Sequence, residues 1–526
     1  MPKLLTAPQL KSMLSDGREI ALLDVREHGI FGEGHLFFAI PLPYSRFEAD
    51  LPALVPNPAT RIVLCDDGDG TAQQAAARAK VLGYTDIAVL DGGAASWKAA
   101  GYTLYQGVNL PSKTFGELVE IERHTPHISA QDLEAMRTSG EDFVIVDGRP
   151  LTEYRKMNIP GGICCPNGEL PLRISAIAPD PNTKVVVNCA GRTRSIIGAQ
   201  ILIDAGIKNP VVALENGTQG WFLAGLKLEN GADRTYPAEI PETAKAERRS
   251  SAAAFALKHN ATAVQNAQVE AWLREPDRTT FIFDVRTPEE FAANGAPATV
   301  HAPGGQLLQA TDQWVGVRGA RIVVVDDDGI RAPIIAGWLR QQGHETYTLD
   351  GGVAAAQSLN VTRPVAAEKL APLPAISPAQ LAAALKAGNV GLIDLRPSMT
   401  FRKGHIAGAG WSIRPQITQA LGDPEKPVVL VAEDSIVAAL AARDLAEAGS
   451  TDIRILEGGA AEWQASGLDV EATPDLPEDA DCIDYLFFTH ERHAGVEAAS
   501  RQYLEWELGL VDQLDEQERS VYRFQA

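Results

Sequence analysis

The chain has 526 residues, is 45% hydrophobic and 22% charged, and carries 47 Lys+Arg against 68 Asp+Glu for a formal net charge of −21. A single core stops growing well short of this length, which excludes one globular domain and leaves three or four at roughly 150 residues each. An ordinary composition excludes disorder, collagen and coiled coil; the acidic balance excludes a general nucleic-acid or anionic-membrane surface; and five cysteines without a CxxC pair exclude a disulfide framework or a zinc site of that kind.

The start, Met1-Pro2-Lys3-Leu4-Leu5-Thr6, lacks the apolar segment of a signal peptide, and no run of 18 apolar residues follows. A cytoplasmic chain with no membrane span is expected. Thr6 with Gln9 then marks a helix start. Ala21–Arg26 is a β-rich run ending in Asp-x-Arg, and Ile62–Cys65 is a second apolar run entering a loop. Ala72–Leu82 is Ala-rich and amphipathic, and Leu90-Asp91-Gly92-Gly93 closes the series.

The same landmarks return three times. Ser129 with Asp132 opens Val144–Arg149, Val185–Cys189, Ile196–Ala205 and Leu214–Gly217. Thr262 with Gln265 opens Phe281–Arg286, Ile322–Asp326, Ile334–Gln342 and Leu349–Gly352. Ser377 with Gln380 opens Leu392–Arg396, Val428–Ala432, Ala438–Ala448 and Leu456–Gly459. Counting Cys65, Cys189, Asp326 and Ala432 as the loop starts, the separations from Asp24, Asp147, Asp284 and Asp394 are 41, 42, 42 and 38 residues. Shared register over four segments signals a repeat.

Apolar strands alternating with helices predict an α/β fold, each unit a small parallel sheet covered by helices on both faces. The units span residues 1–107, 125–230, 255–360 and 375–470, followed by a helical extension over 471–526. Tyr503, Trp506 and Leu508 lie in an amphipathic helix that docks on the domains. The longest linker, Gly231–Ala252, and the Pro-rich Val361–Pro374 suggest a two-plus-two arrangement, the first unit packed on the second and the third on the fourth.

Ligands bind at the carboxyl ends of strands in open parallel sheets, so chemistry is sought in the loops after the second apolar run. They read Cys65-Asp66-Asp67-Gly68-Asp69-Gly70, Cys189-Ala190-Gly191-Arg192-Thr193-Arg194, Asp326-Asp327-Asp328-Gly329-Ile330-Arg331 and Ala432-Glu433-Asp434-Ser435-Ile436-Val437. Only the second sets a thiol beside two guanidiniums and a helix start. Fixed positive charge and a helix N-terminus both stabilise a thiolate, and the loop amides can wrap an anion bonded to the sulfur. Cys65, ringed by carboxylates, is expected to be inert, Cys164-Cys165 to pack, and Cys482 to be structural. His490 and His493 sit at helical spacing without a further ligand, and no metal site is expected.

On these residues the chain resembles the rhodanese-type sulfurtransferases, with four rhodanese-homology units over roughly residues 5–470. Cys189 to Arg194 matches that family's Cys-x-Gly-x-x-Arg loop. Asp147-Gly148-Arg149 with Glu153 and Tyr154 matches its Asp-x-Arg and Glu-aromatic signature, as does Asp284-Val285-Arg286 with Glu290 and Phe291, and Gly404-His405-Ile406-Ala407-Gly408-Ala409 matches its Gly-His element.

The resemblance implies a Cys189 nucleophile. Its loop, Ala190, Gly191, Arg192, Thr193, Arg194 and Ser195, would cradle substrate and persulfide, supported by Asp147, Arg149 and Glu153. Arg192 is expected to face the donor anion, and Arg194 to brace the loop against Glu153 or Asp147. Sulfane sulfur would pass from thiosulfate or a related small anion to cyanide or a thiol through a covalent persulfide, with no other cofactor. The alternatives are a non-catalytic or sulfur-relay scaffold for protein partners and, more remotely, a cysteine phosphatase or arsenate reductase, which needs five residues rather than four between cysteine and arginine. The oligomeric state is not legible.

Overall fold

The computed structural model describes residues 2–360, 370–423, 425–491 and 496–524. It contains four five-stranded parallel sheets with flanking helices, one per repeat. Counting only the strands of each five-stranded sheet along the chain, their spatial order is 1-5-4-2-3 in all four. In the second repeat these are His127–Ile128, Phe143–Asp147, Ile163–Cys164, Lys184–Asn188 and Val211–Leu214. Val185, Val186 and Val187 are fully buried because helices cover the sheet, which is why the strand reads as continuous β-branched residues.

Helix starts follow local capping. The Ser129 hydroxyl accepts from Asp132 N at 3.0 Å, and Ser377 with Gln380 forms a reciprocal capping box. The third repeat differs from expectation. Thr262 precedes the strand Ala263–Val264, and Gln265 takes the N-cap position of the helix Asn266–Leu273 without the side-chain hydrogen bond that Ser129 makes after the strand His127–Ile128.

Strand register fixes the loop starts. The Asp of each Asp-x-Arg run pairs across the sheet: Asp24 with Cys65, Asp147 with Asn188, Asp284 with Val325, and Asp394 with Val431. Cys65 is therefore the last strand residue, the counterpart of Asn188, and Asp66 holds the place of Cys189. Backbone bonds agree: the carbonyls of Asp66, Cys189 and Asp326 accept from Ala94, Thr218 and Val353 at 2.8, 2.8 and 2.9 Å.

The chain forms two compact units, Met1–Ser12 with Ala21–Gly107 and Val365–Phe487, and Met13–Ile20 with Val108–Pro364 and Phe488–Ala526. The first repeat thus partners the fourth and the second partners the third, contrary to the pairing expected from the linkers. Buried ionic groups join each pair of repeats. In one unit Arg414, fully buried, spans Glu48 at 2.5 Å and Asp444 at 2.9 Å. In the other Arg331 joins Glu169 at 2.8 Å to Glu290 at 2.6 Å. Among the described residues no helix is long and apolar enough to cross a membrane.

Candidate active site

Strand Lys184–Asn188 ends at Cys189, and the helix Thr193–Asp204 begins four residues later. Cys189 is 2% exposed. Its carbonyl sits against Gly217, where an added Cβ would stand 2.3 Å from the oxygen and φ is +53°. Only glycine fits that turn, which accounts for the Gly in the third landmark.

The amides of Ala190, Gly191, Arg192, Thr193 and Arg194 make no hydrogen bond among the described residues. Five successive N–H groups at the end of a strand and the start of a helix form an anion cradle. In the first and third repeats an aspartate at the place of Cys189 bonds part of the corresponding amides from within the loop. Asp66 accepts from Gly68 N at 2.8 Å and Ala72 N at 2.9 Å. Asp326 accepts from Gly329, Ile330 and Ala332 at 3.1, 3.0 and 2.9 Å, and burial pushes its carboxyl up to about 8. The Asp326–Asp328 run is thereby occupied with its own loop and with Arg331.

Arg194 pairs with Glu153 at 2.8 and 2.9 Å, tying the loop to the helix Leu151–Lys156. Arg192 departs from expectation. Its guanidinium is bound by Glu117 at 2.9 Å and by Glu120, both on the helix Leu110–Arg123, so its charge is already matched by two carboxylates and it does not face a donor. Burial raises Glu117 to about 7 against the opposing pull of Arg192. Ser195 Oγ donates to the Arg192 carbonyl at 2.8 Å and Thr193 Oγ1 reaches Glu507 at 3.4 Å.

Behind the loop, Arg149 donates to Asp147 at 2.8 and 2.7 Å, and Asn188 Nδ2 donates to the same carboxylate at 2.7 Å. In the first and third repeats the matching arginines also reach Asp67 and Asp327 at 2.9 and 3.0 Å. Ala190 stands at that place in the second repeat, and Arg149 Nη1 makes no hydrogen bond among the described residues.

Residues far from the repeat pattern complete the site. The C-terminal helix Glu497–Leu508 lies against the loop: an added Cβ on Gly191 would meet Glu507 Oε2 at 2.8 Å, Tyr503 Cε1 at 3.2 Å and Gln219 Nε2 at 3.5 Å. Lys113 Nζ holds Glu507 at 2.8 Å and also donates to the Tyr503 hydroxyl. Tyr503 lies in the docking helix expected from the sequence, and Gln219 left a trace of another kind: the other repeats carry Ala95, Ala354 and Ala461 at its position.

The remaining thiols are buried. Cys65 is fully buried with its thiol pushed well up by burial. Cys164 Sγ lies 3.4 Å from the Arg149 carbonyl with its thiol raised to about 12, and Cys165 belongs to the core beside Val146 and Val187. Cys482 contacts the Pro477 carbonyl at 3.8 Å. His493 lies outside the described residues, and among those described no group of three or more His, Cys, Asp or Glu is placed to hold a metal ion.

The rhodanese-like domain model matches residues 6–100, 129–224, 265–359 and 377–466. A thiosulfate sulfurtransferase, GlpE of Shewanella oneidensis, is 33% identical over 86 residues, 16% of this chain and 85% of that protein. An HTH-type transcriptional regulator of Mycobacterium tuberculosis, Rv0324, is 32% identical over 105 residues, 20% of this chain, which spans 45% of the regulator. The crystal structure of a thiosulfate sulfurtransferase from Pseudomonas aeruginosa superimposes with a TM-score of 0.90 at 41% identity, covering 99% of both chains. Four matched domains and a sister structure over the whole length place this chain in the rhodanese-like family.

Proposed function

We propose that the protein is a sulfurtransferase that works through a Cys189 persulfide. Cys189 Sγ attacks the outer sulfur of thiosulfate or a related sulfane anion. The donor's S–S bond breaks, its electron pair leaves with sulfite, and the sulfur stays on Cys189. Cyanide or a thiol then attacks that sulfur, and the pair of the broken Sγ–S bond restores the thiolate. Free loop amides stabilise the charge on the transferred group, a contribution of about 3–4 kcal/mol per donor in other enzymes.

The observation that carries this reading is the contrast between loops: the second repeat joins a thiol to loop amides without a hydrogen bond among the described residues, while Asp66 and Asp326 place a carboxylate on amides of theirs. With five free cysteines the chain suits a reducing compartment, the cytoplasm. No cofactor beyond the persulfide is required.

The test is to incubate the protein with thiosulfate, measure the gain of one sulfur by mass, map it by peptide, and add cyanide to release thiocyanate. Cys189→Ala abolishes loading, and Cys65→Ala leaves it intact. Sulfur on Cys65, or turnover surviving Cys189→Ala, refutes the assignment. If no donor loads any cysteine while partner proteins co-purify, a scaffold role replaces catalysis.

A further inference from the structure

The helix Gly217–Leu223 is tied to the catalytic loop, Thr218 N donating to the Cys189 carbonyl at 2.8 Å and Gln219 N to that of Ala190 at 3.1 Å. Gln219 is 4% exposed, and among the described residues neither its Nε2 nor its Oε1 has a hydrogen-bond partner. A buried amide with both ends unmade is costly and calls for an explanation. Packing does not supply one, because alanine serves at the same position in the other three repeats, as Ala95, Ala354 and Ala461. Methyl groups stand beside the three loops without a thiol, and an amide beside the one loop that has it. The Nε2 lies 3.5 Å from the point where a Gly191 Cβ would be, so the amide is directed at the catalytic loop.

We infer that Gln219 is a substrate-contacting residue that recognises the anionic sulfur donor, its Nε2 donating to a sulfonate oxygen alongside the amides of Ala190 to Arg194. This rests on the sulfurtransferase reading. As Cys189 Sγ bonds to the outer sulfur and the donor's S–S bond breaks, the electron pair leaves on the sulfite whose oxygen Gln219 holds. Glu507 Oε2 approaches the same point over Gly191, and its charge opposes an anion there, with Lys113 balancing it at 2.8 Å. Donor entry therefore requires the C-terminal helix to draw back from the loop, and Gln219 acquires its partner from the donor.

The test uses Gln219→Ala in the full chain, the residue its sister domains carry, with Gln219→Glu as the second variant. Cys189 is alkylated with anionic iodoacetate and neutral iodoacetamide, mapped by peptide, and the ratio of the two rates compared with wild type. Loss of one hydrogen bond to an anion lowers the ratio about tenfold in Gln219→Ala, and an added carboxylate lowers it further, about a hundredfold, in Gln219→Glu. The thiosulfate KM rises about tenfold in Gln219→Ala while the cyanide KM stays put. An unchanged ratio, or equal slowing by both reagents, overturns the inference. Alkylation does not depend on turnover. If the ratio falls as expected but no sulfur loads on the wild type, the sulfurtransferase reading fails and the anion-recognising role of Gln219 stands.

Discussion

Lys113→Met tests whether the C-terminal helix covers the Cys189 loop. Lys113, on the helix Leu110–Arg123, has its side chain 13% exposed and directs its ammonium to Glu507, itself 1% exposed, at 2.8 Å. The same group lies 4.9 and 5.3 Å from the ring centres of Tyr503 and Trp506. Methionine keeps the apolar stem and removes only the charge. A hydrogen bond between charged groups contributes about 1.5–3 kcal/mol, and a partly desolvated cation–π contact about 0.5–2. Allowing for rehydration of Glu507 once the helix lifts, the docked state loses about 2–3 kcal/mol, so the undocked fraction rises about 30- to 150-fold. Hydrogen exchange over residues 497–508 then accelerates by that factor. Cys189, 2% exposed in the docked form, reacts with iodoacetamide faster in the same proportion, because labelling follows the open population. If both rates stay at the wild-type value, the Lys113 contact does not hold the helix, and access to Cys189 follows another route.

Two further outcomes follow from individual groups. Glu153→Gln removes the charge partner of Arg194 at 2.8 Å, and with the pair only partly shielded the loss is about 1–1.5 kcal/mol, read as a kcat/KM reduced about tenfold with little change in Tm. His35, fully enclosed and stacked on Phe31 at 3.8 Å, is pushed down to about 4 by burial, so between about 6.5 and 4 the unfolded chain takes a proton that the folded chain refuses. Its contribution is therefore complete above about pH 6.5 and is lost as pH falls, by about 2 kcal/mol at pH 5, and urea unfolding of His35→Asn should lack that part of the acid slope.

The repeat was legible because a parallel α/β unit imposes the same order of strand, loop and helix wherever it occurs, and Cys189 stood out by its neighbours Gly191, Arg192 and Arg194. Cys65 misleads because it carries sulfur yet sits one residue before the register of Cys189. The 41 residues from Asp24 to Cys65 fell one short of the 42 in the second and third repeats, and Asp66 restores the count. Arg192 was assigned to the donor because its true partners, Glu117 and Glu120, lie in the helix between repeats, where no pattern points to it. The amphipathic pattern around Tyr503 marks a docking helix, but its place over Gly191, and the parts of Glu507 and Lys113, carry no periodic signal because they are tertiary contacts from the chain's end and a linker helix. Gln219 was legible in principle, as the one amide in a column of alanines, but only once the repeats are compared residue by residue beyond their shared landmarks.

The register also explains how loops without a nucleophile persist. Turning from strand to helix at this place points several amides into one concavity, and a buried N–H without an acceptor costs about 1–3 kcal/mol. An aspartate at the first loop position answers that cost from within the chain, and Asp66 and Asp326 each bond two or more of these amides. Such a loop is held without a ligand and sets a carboxylate where an anion would have to sit. Cys189 gives up that internal acceptor, so its loop depends on outside support: Glu153 grips Arg194, Glu117 and Glu120 grip Arg192, and the Glu507 helix lies across Gly191. The bracing that surrounds the one thiol-bearing loop is thus what a cradle needs if it is to keep its shape while its amides wait for an anion.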